Sequence, residues 1–172
     1  NQGVWKPAAG IDATLVGIGE LGTALSTVEI EELNASGVNC LRAFPQHPVV
    51  VWGARTLAGT DSVEYQYIPI RRFALFLEAS VFEGLQWVVF EPNAAPLWAQ
   101  IRLAIGDFLG ELFRKGAFQG ATSNQAYFVQ CDEQTTTQAD IENGRLNIVI
   151  GFAPLRPAEF VIVTIAQLMC TK

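Results

Sequence analysis

The sequence predicts an α+β domain in which a mixed β-sheet carries two longer helices and two short ones, between extended terminal arms. Three observations lead there. Runs of strand length, rich in β-branched residues, recur between Pro and Gly. Two longer segments carry apolar residues at helical spacing. The two kinds alternate as β-β-α-β-α-β-α-β-β, an order that fits a sheet with helices packed on it.

Residues 1–25 are rich in Gly and Ala and lack a helical stripe, so they are expected to form an extended lead-in. Ser26 and Glu29 have the S-x-x-E spacing of a capping box and open a short helix that Gly37 closes. VNCLRAF (38–44) and PVVVWGART (48–56) read as strands bounded by Pro45 and Pro48. IPIRRFALFLEASVFEGL (68–85) is apolar round much of its circumference and reads as a well-buried helix. WVVF (87–90) is a continuous apolar run, expected to be a central strand covered on both faces. Asn93 and Pro96 are expected to start the longest helix, which runs to about Lys115. Leu97, Ile101, Ile105, Phe108 and Leu112 share one stripe of it, and Gly116 stops it. AYFVQC (126–131) reads as a strand and TQADIENG (137–144) as a short capped helix. RLNIVIGFAP (145–154) alternates, with Leu146, Ile148, Ile150 and Phe152 on one face. A turn with Pro154 and Pro157 then leads to a last strand, EFVIVTIAQ (159–167).

Composition narrows the function classes. Half of the 172 residues are hydrophobic and the mean hydropathy is +0.26. No stretch reaches the roughly 18 uncharged apolar residues of a membrane-spanning helix. The apolar excess must therefore fill a large core or surfaces that other chains cover. A net charge of −6 and a pI of about 4.7 argue against nucleic acid as a partner, since phosphate neutralisation needs a basic surface. The three cysteines, Cys40, Cys131 and Cys170, are far apart and odd in number, as reduced thiols in a protein folded in the cytoplasm would be. The only methionine is Met169, so the chain is expected to be the C-terminal part of a longer protein.

TLVGIGELGTAL (14–25) raises a sharper possibility, because Gly17, Gly19 and Gly22 fit the G-x-G-x-x-G of dinucleotide-binding proteins. That fingerprint needs its third glycine in the first turn of a helix, where the helix N-terminus meets the pyrophosphate. Here the capping signal stands at Ser26, four residues later. The place for an acidic ribose ligand reads CLRAFPQH, with Arg42 and His47. The better reading is that the glycines let an extended segment turn and pack. A nucleotide-binding oxidoreductase built on Gly17, Gly19 and Gly22 is kept as the alternative.

Other chemistry does not assemble. His47 is the only histidine, so a zinc site or a histidine-based triad lacks partners. No G-x-S-x-G nucleophile motif occurs. Glu78, Glu83 and Glu91 read as structural or solvated acids, and Glu91-Pro92-Asn93 as a strand end that caps a helix. Arg71, Arg72 and the aromatic residues read as core and surface rather than as a base-stacking platform. Arg55, just after a strand, is expected to pair with an acid in the sheet or across an interface.

Several stretches together resemble the C-terminal domain of contractile tail sheath proteins. They are GVWKPAA (3–9), ELNASGVNCLRAF (32–44), VVVWGARTL (49–57), YIPIRRFALFLEASV (67–81), LQWVVFEPNAAPLWAQIR (85–102) and DIENGRLNIVIGFAPLRPAEFVIVTI (140–165). The specific signal is WGARTL, QWVVFEPN and the P-x-x-P-A-E-F turn in this order and spacing. The resemblance implies a structural subunit, not an enzyme, of a phage tail or related injection device. Such subunits form hexameric rings that stack helically round a tail tube, with baseplate and tail terminator as further partners. Contraction drives the tube through a target envelope, without cofactor, metal, nucleic acid or direct membrane insertion. Assembly takes place in the bacterial host cytoplasm. Terminal arms of the family add strands to neighbouring subunits. Residues 1–25 would then be an arm or linker, 26–157 the core domain and 158–172 a C-terminal strand or arm. Phe160, Val161, Ile162, Val163, Thr164 and Ile165 are the expected strand-addition residues, because a β-branched, nearly uncharged terminal strand invites pairing. Arg102, Arg114 and Lys115, on the 95–115 helix, are expected at the tube or subunit interface. Arg71, Arg72, Glu78 and Asp107 are the other charged groups expected at interfaces.

Overall fold

The computed structural model describes residues 3–45, 47–58 and 63–159. Its class is α+β, with the helices and strands in nearly the predicted order. The described strands, however, form two separate antiparallel pairs in place of one mixed sheet.

The first pair belongs to the N-terminal part. Helix α1 spans Thr27–Ala35, and Ser26 and Glu29 cap it reciprocally as their spacing predicts. The chain leaves α1 through Gly37 at φ +81°, a left-handed conformation that suits glycine. A Cβ there would also sit 2.9 Å from the Thr56 carbonyl oxygen. Strands β1 (Cys40–Phe44) and β2 (His47–Trp52) then form a hairpin, with Leu41 opposite Val51 and a register shift near Phe44. The lead-in turns back onto this hairpin. The Gly10 and Leu15 amides donate to the carbonyls of Val51 and Val49, and the Val51 amide donates to Ala13. Val50 between them is fully buried.

The second part is built on two long helices, α2 (Ile68–Gly84) and α3 (Ala95–Arg114). Leu97, Ile101, Ile105 and Leu112 of the predicted stripe are buried, and Phe108 packs beside them half-buried. Trp98 and Leu109 broaden the stripe. Gly116 at φ +74° ends α3, and the Ala117 amide bonds back to the Leu112 carbonyl. A four-residue helix, α4 (Ser123–Ala126), leads into β3 (Tyr127–Gln130). Helix α5 (Gln138–Glu142) has a second capping box, Thr137 with Asp140. Strand β4 (Val149–Phe152) pairs with β3, Val129 opposite Ile150. Leu146, Ile148, Ile150 and Phe152 alternate inward as predicted and join the core.

Two expectations fail between α2 and α3. WVVF is not a central strand: residues Gln86–Val88 form one 3-10 turn, and Val89 and Phe90 are exposed. The Leu85 amide still bonds to Val81 and the Val88 amide to Leu85, so the helical hydrogen bonding of α2 tightens there and does not give way to a ladder. Asn93 does not cap the backbone of α3, whose cap position is Ala94. Its side chain instead accepts from the Trp98 indole N–H at 2.8 Å and donates to the Arg145 carbonyl at 2.8 Å. It thereby fixes a buried Trp and ties the start of α3 to the segment before β4.

Phe73 of α2 joins these pieces. Its ring lies 5.9 Å from Trp5, 5.3 Å from Phe118 and 5.5 Å from Phe152, each in an edge or tilted geometry that aromatic rings favour.

The burial pattern of α3 is directly testable. Leu109→Ala should cost about 2–5 kcal/mol, because it leaves a cavity in a fully buried site. Leu103→Ala, at an exposed position on the same helix, should stay within about 0.5 kcal/mol. Chemical denaturation of both variants, with equal m-values, checks the contrast.

Candidate interaction surfaces

Arg55 follows β2 and occupies the junction between the two parts. The Asn39 side chain pins its backbone, accepting from the Arg55 amide and donating to its carbonyl, both at 2.8 Å. The fixed guanidinium then reaches Glu159, 104 residues away. Nε donates to Oε1 at 2.9 Å and Nη2 to Oε2 at 2.5 Å. Nη1 also points to the Asn34 carbonyl at the end of α1, at 3.4 Å. The Tyr67 hydroxyl, at the N-terminal edge of α2, donates to Glu159 Oε2 at 3.1 Å. Both charged side chains are largely shielded, at 15% and 16% exposure. Such a planar, two-pronged pair is directional and strong for an ion pair.

The hydrogen bond from Arg55 holds the Glu159 carboxyl below its usual range, against the opposing effect of burial. Burial is the main cause that raises the Tyr67 phenol. A depressed carboxyl pKa stabilises the folded arrangement above the ordinary value of 4.5. That contribution is lost as pH falls from there through the lowered pKa.

A second feature is an open groove of about 930 Å³ along α2. It is lined by Ala74, Leu77 and Val81 of α2, by Ile148, Ile150 and Phe152 in and before β4, and by Val88 of the turn after α2. Arg71, Glu78 and Glu91 supply charged groups to its lining. Beside it Phe82, Trp87, Val89 and Phe90 are exposed. Among the described residues Phe90 is the non-glycine residue with positive φ, +74°, and it is wholly exposed.

The predicted basic residues do not converge. Arg102 donates to the Cys131 carbonyl and so braces α3 against the end of β3. Lys115 bonds to Glu111 one turn back, at 2.6 Å, in an exposed pair that contributes little to stability. Arg114 is exposed at the end of α3. Arg72 is turned to internal use, donating to the carbonyls of Val4 and Lys6 and holding the lead-in on α2. Arg71 lies over the Tyr65 ring at 5.0 Å. Glu78 and Asp107 are exposed. Phe160–Ile165 lie outside the described residues.

Among the described residues no group of three or more His, Cys, Asp or Glu is placed to hold a metal ion. No described helix is long and apolar enough to cross a membrane. Cys40 and Cys131 are buried and free.

Residues 60–167 match the family described as phage tail sheath C-terminal domain. The chain belongs to this sheath-domain family. Solved structures agree over almost its whole length. A chain of the anti-feeding prophage baseplate, six-fold symmetrised, is 37% identical, with a TM-score of 0.88 over 97% of this chain and 46% of that one. A chain of the PVC sheath complex, an extracellular contractile injection system in its contracted state, is 34% identical, with a TM-score of 0.88 over 96% and 46%. The anti-feeding prophage helical sheath in its contracted state gives 37%, 0.84, 96% and 46%. The chain thus spans a little under half the length of these relatives. No curated protein matches it.

The sheath-domain fold leaves the glycine motif without its expected context. Gly22 is followed by residues that are not helical, and α1 begins at Thr27. A Cβ on Gly19 or Gly22 would meet nothing within 4 Å, so neither position requires a bare backbone. Nothing in this geometry favours a dinucleotide. Sequence reasoning found Arg55 but not its partner, and it missed Tyr67 altogether. The signal for Glu159 was the P-x-x-P-A-E-F turn, which fixes the chain's course just ahead of it.

Gly22→Ala should therefore leave the melting temperature unchanged within about 2 °C or raise it slightly, through a less flexible unfolded chain. A thermal melt showing a loss of several degrees would mean that the glycines are structurally required.

Proposed function

We propose that this chain is the C-terminal domain of a structural sheath subunit, which polymerises round a tail tube and contracts to drive the tube through a target cell envelope. The observation that carries the reading is the agreement, over nearly the whole chain, with sheath subunits solved in contracted particles. Three features of the chain support it. The large apolar side chains exposed along α2 and the turn after it suit a surface that neighbours cover. The functional geometry consists of anchors and grooves, with no convergent set of acid, base and nucleophile among the described residues. The terminal segment 160–167, FVIVTIAQ, has the composition of a strand donated to another sheet.

In this reading the subunits stack as hexameric rings, in a phage tail or a phage-tail-like particle assembled in the host cytoplasm. The sheath meets the baseplate at one end and a terminator at the other. Phe160, Val161, Ile162, Val163, Thr164 and Ile165 pair with a neighbouring subunit, and Arg114 and Lys115 face the tube. Arg102, committed to Cys131, positions α3 and does not itself reach out.

The full-length protein, concentrated with its tube protein and imaged by negative-stain electron microscopy, should form tubes or stacked rings of regular width. Deleting residues 160–172 should leave rings or short fragments. Discrete monomers in the presence of tube protein would end the sheath reading. Reversing Arg114 and Lys115 to Glu should lower the amount of tube protein that co-sediments with the sheath at least tenfold at low salt. Unchanged co-sedimentation would remove these two residues from the tube contact.

A further inference from the structure

We propose that Arg55 and Tyr67 form a clamp on the Glu159 carboxylate, which ties the stretch after β4 to the N-terminal part of the domain. The clamp itself rests on this chain's own geometry. Its use in linking subunits rests on the sheath reading above.

The geometry favours an anchor over an ordinary surface ion pair. The guanidinium does not swing freely, because Asn39 holds the Arg55 backbone from both sides and Asn34 gives Nη1 a further acceptor. Arg55 is also paired by backbone with Tyr67 across an isolated antiparallel bridge. The two donors that grip Glu159 are thus mounted on one frame, shared by the ends of α1, β1, β2 and the start of α2. The gripped residue has a different setting. After the Phe118–Pro154 bridge, residues 155–159 make no backbone hydrogen bond with the described part of the domain. Among the described residues, the side-chain hydrogen bonds of this stretch come from Glu159, which accepts from Arg55 Nε, Arg55 Nη2 and Tyr67 Oη.

Residues up to 159 are tied to the N-terminal frame and move with it. A pull applied at Glu159 passes through its carboxylate into four secondary-structure elements, and does not peel β4 from β3. A two-stranded ribbon of four-residue strands would resist peeling poorly.

Limited chymotrypsin digestion of the unassembled full-length protein, followed by mass spectrometry, tests the clamp apart from assembly. Cleavage after Leu155 reports how often the root of the segment opens. Glu159→Gln keeps the size of the side chain and removes its charge, and should speed this cut at least tenfold. Arg55→Lys, which lacks the fork, should speed it similarly, and the double variant should be no faster than either alone. Tyr67→Phe removes one hydrogen bond and should give about a two- to five-fold rise; it carries the test if the charge variants fold poorly. Cuts within α3 are the control and should keep their rate. An unchanged rate after Leu155 in Glu159→Gln and Tyr67→Phe, or additive effects in the double variant, would overturn the clamp. If the wild type forms tubes while the clamp fails, only this inference falls. If the clamp holds and no tubes form, the sheath reading falls instead.

Discussion

The larger part of the domain depends on the packing of Phe73. Two strands of four residues do not make a stable sheet in water without a third strand or a helix beneath them. Among the described residues, the β3–β4 pair rests on the core of α2 and α3, and Phe73 of α2 reaches the end of β4 at Phe152. The same ring touches Phe118, just after α3, and Trp5 of the lead-in, so it holds three chain segments distant in sequence against one helix. Each aromatic pair adds about 0.5–1.5 kcal/mol beyond simple burial. Their main effect is geometric: edge and tilted contacts fix the angle at which β4 meets α2.

The N-terminal part meets the same constraint by other means. Among the described residues its hairpin is also two strands wide, and its buried apolar set is small: Ile30, Cys40, Val49, Val50 and Ala54. The lead-in supplies what is missing, its backbone pairing with the outer edge of β2 on either side of Val50. The thin core also explains why the junction is polar. Where apolar area is scarce, the Asn39–Arg55–Glu159–Tyr67 network holds the parts in register through directional bonds.

Much of this was legible in the sequence because its causes are local. Ser26 with Glu29 announces a helix start, because the hydroxyl and carboxylate act within one turn. The alternation from Leu146 to Phe152 announces a one-sided strand for the same kind of reason. WVVF misled, because a short apolar run has no period that tells a strand from a turn of helix. Its real determinant is the unbroken hydrogen bonding from Val81 through Leu85 to Val88. Asn93 misled because its side chain serves two residues, Trp98 and Arg145, one of them 52 positions away. The partner of Arg55 was out of reach for the same reason: no local pattern brings residue 55 to residue 159.

A subunit that must keep hold of its neighbours while their geometry changes faces two opposed demands. Apolar contact is strong per unit area but non-directional, so it tolerates sliding. The groove along α2 and the exposed Phe82, Val89 and Phe90 are surfaces of that kind. Phe90 carries a backbone conformation that costs about 1–3 kcal/mol, with no burial of its side chain within the described chain to offset it. Charge-assisted bonds with a planar fork do the reverse: they lose most of their strength when the angle changes. The domain has its directional network at Glu159 and its apolar surface along α2. In a contractile lattice, that arrangement would let the faces slip while the point of attachment stays fixed.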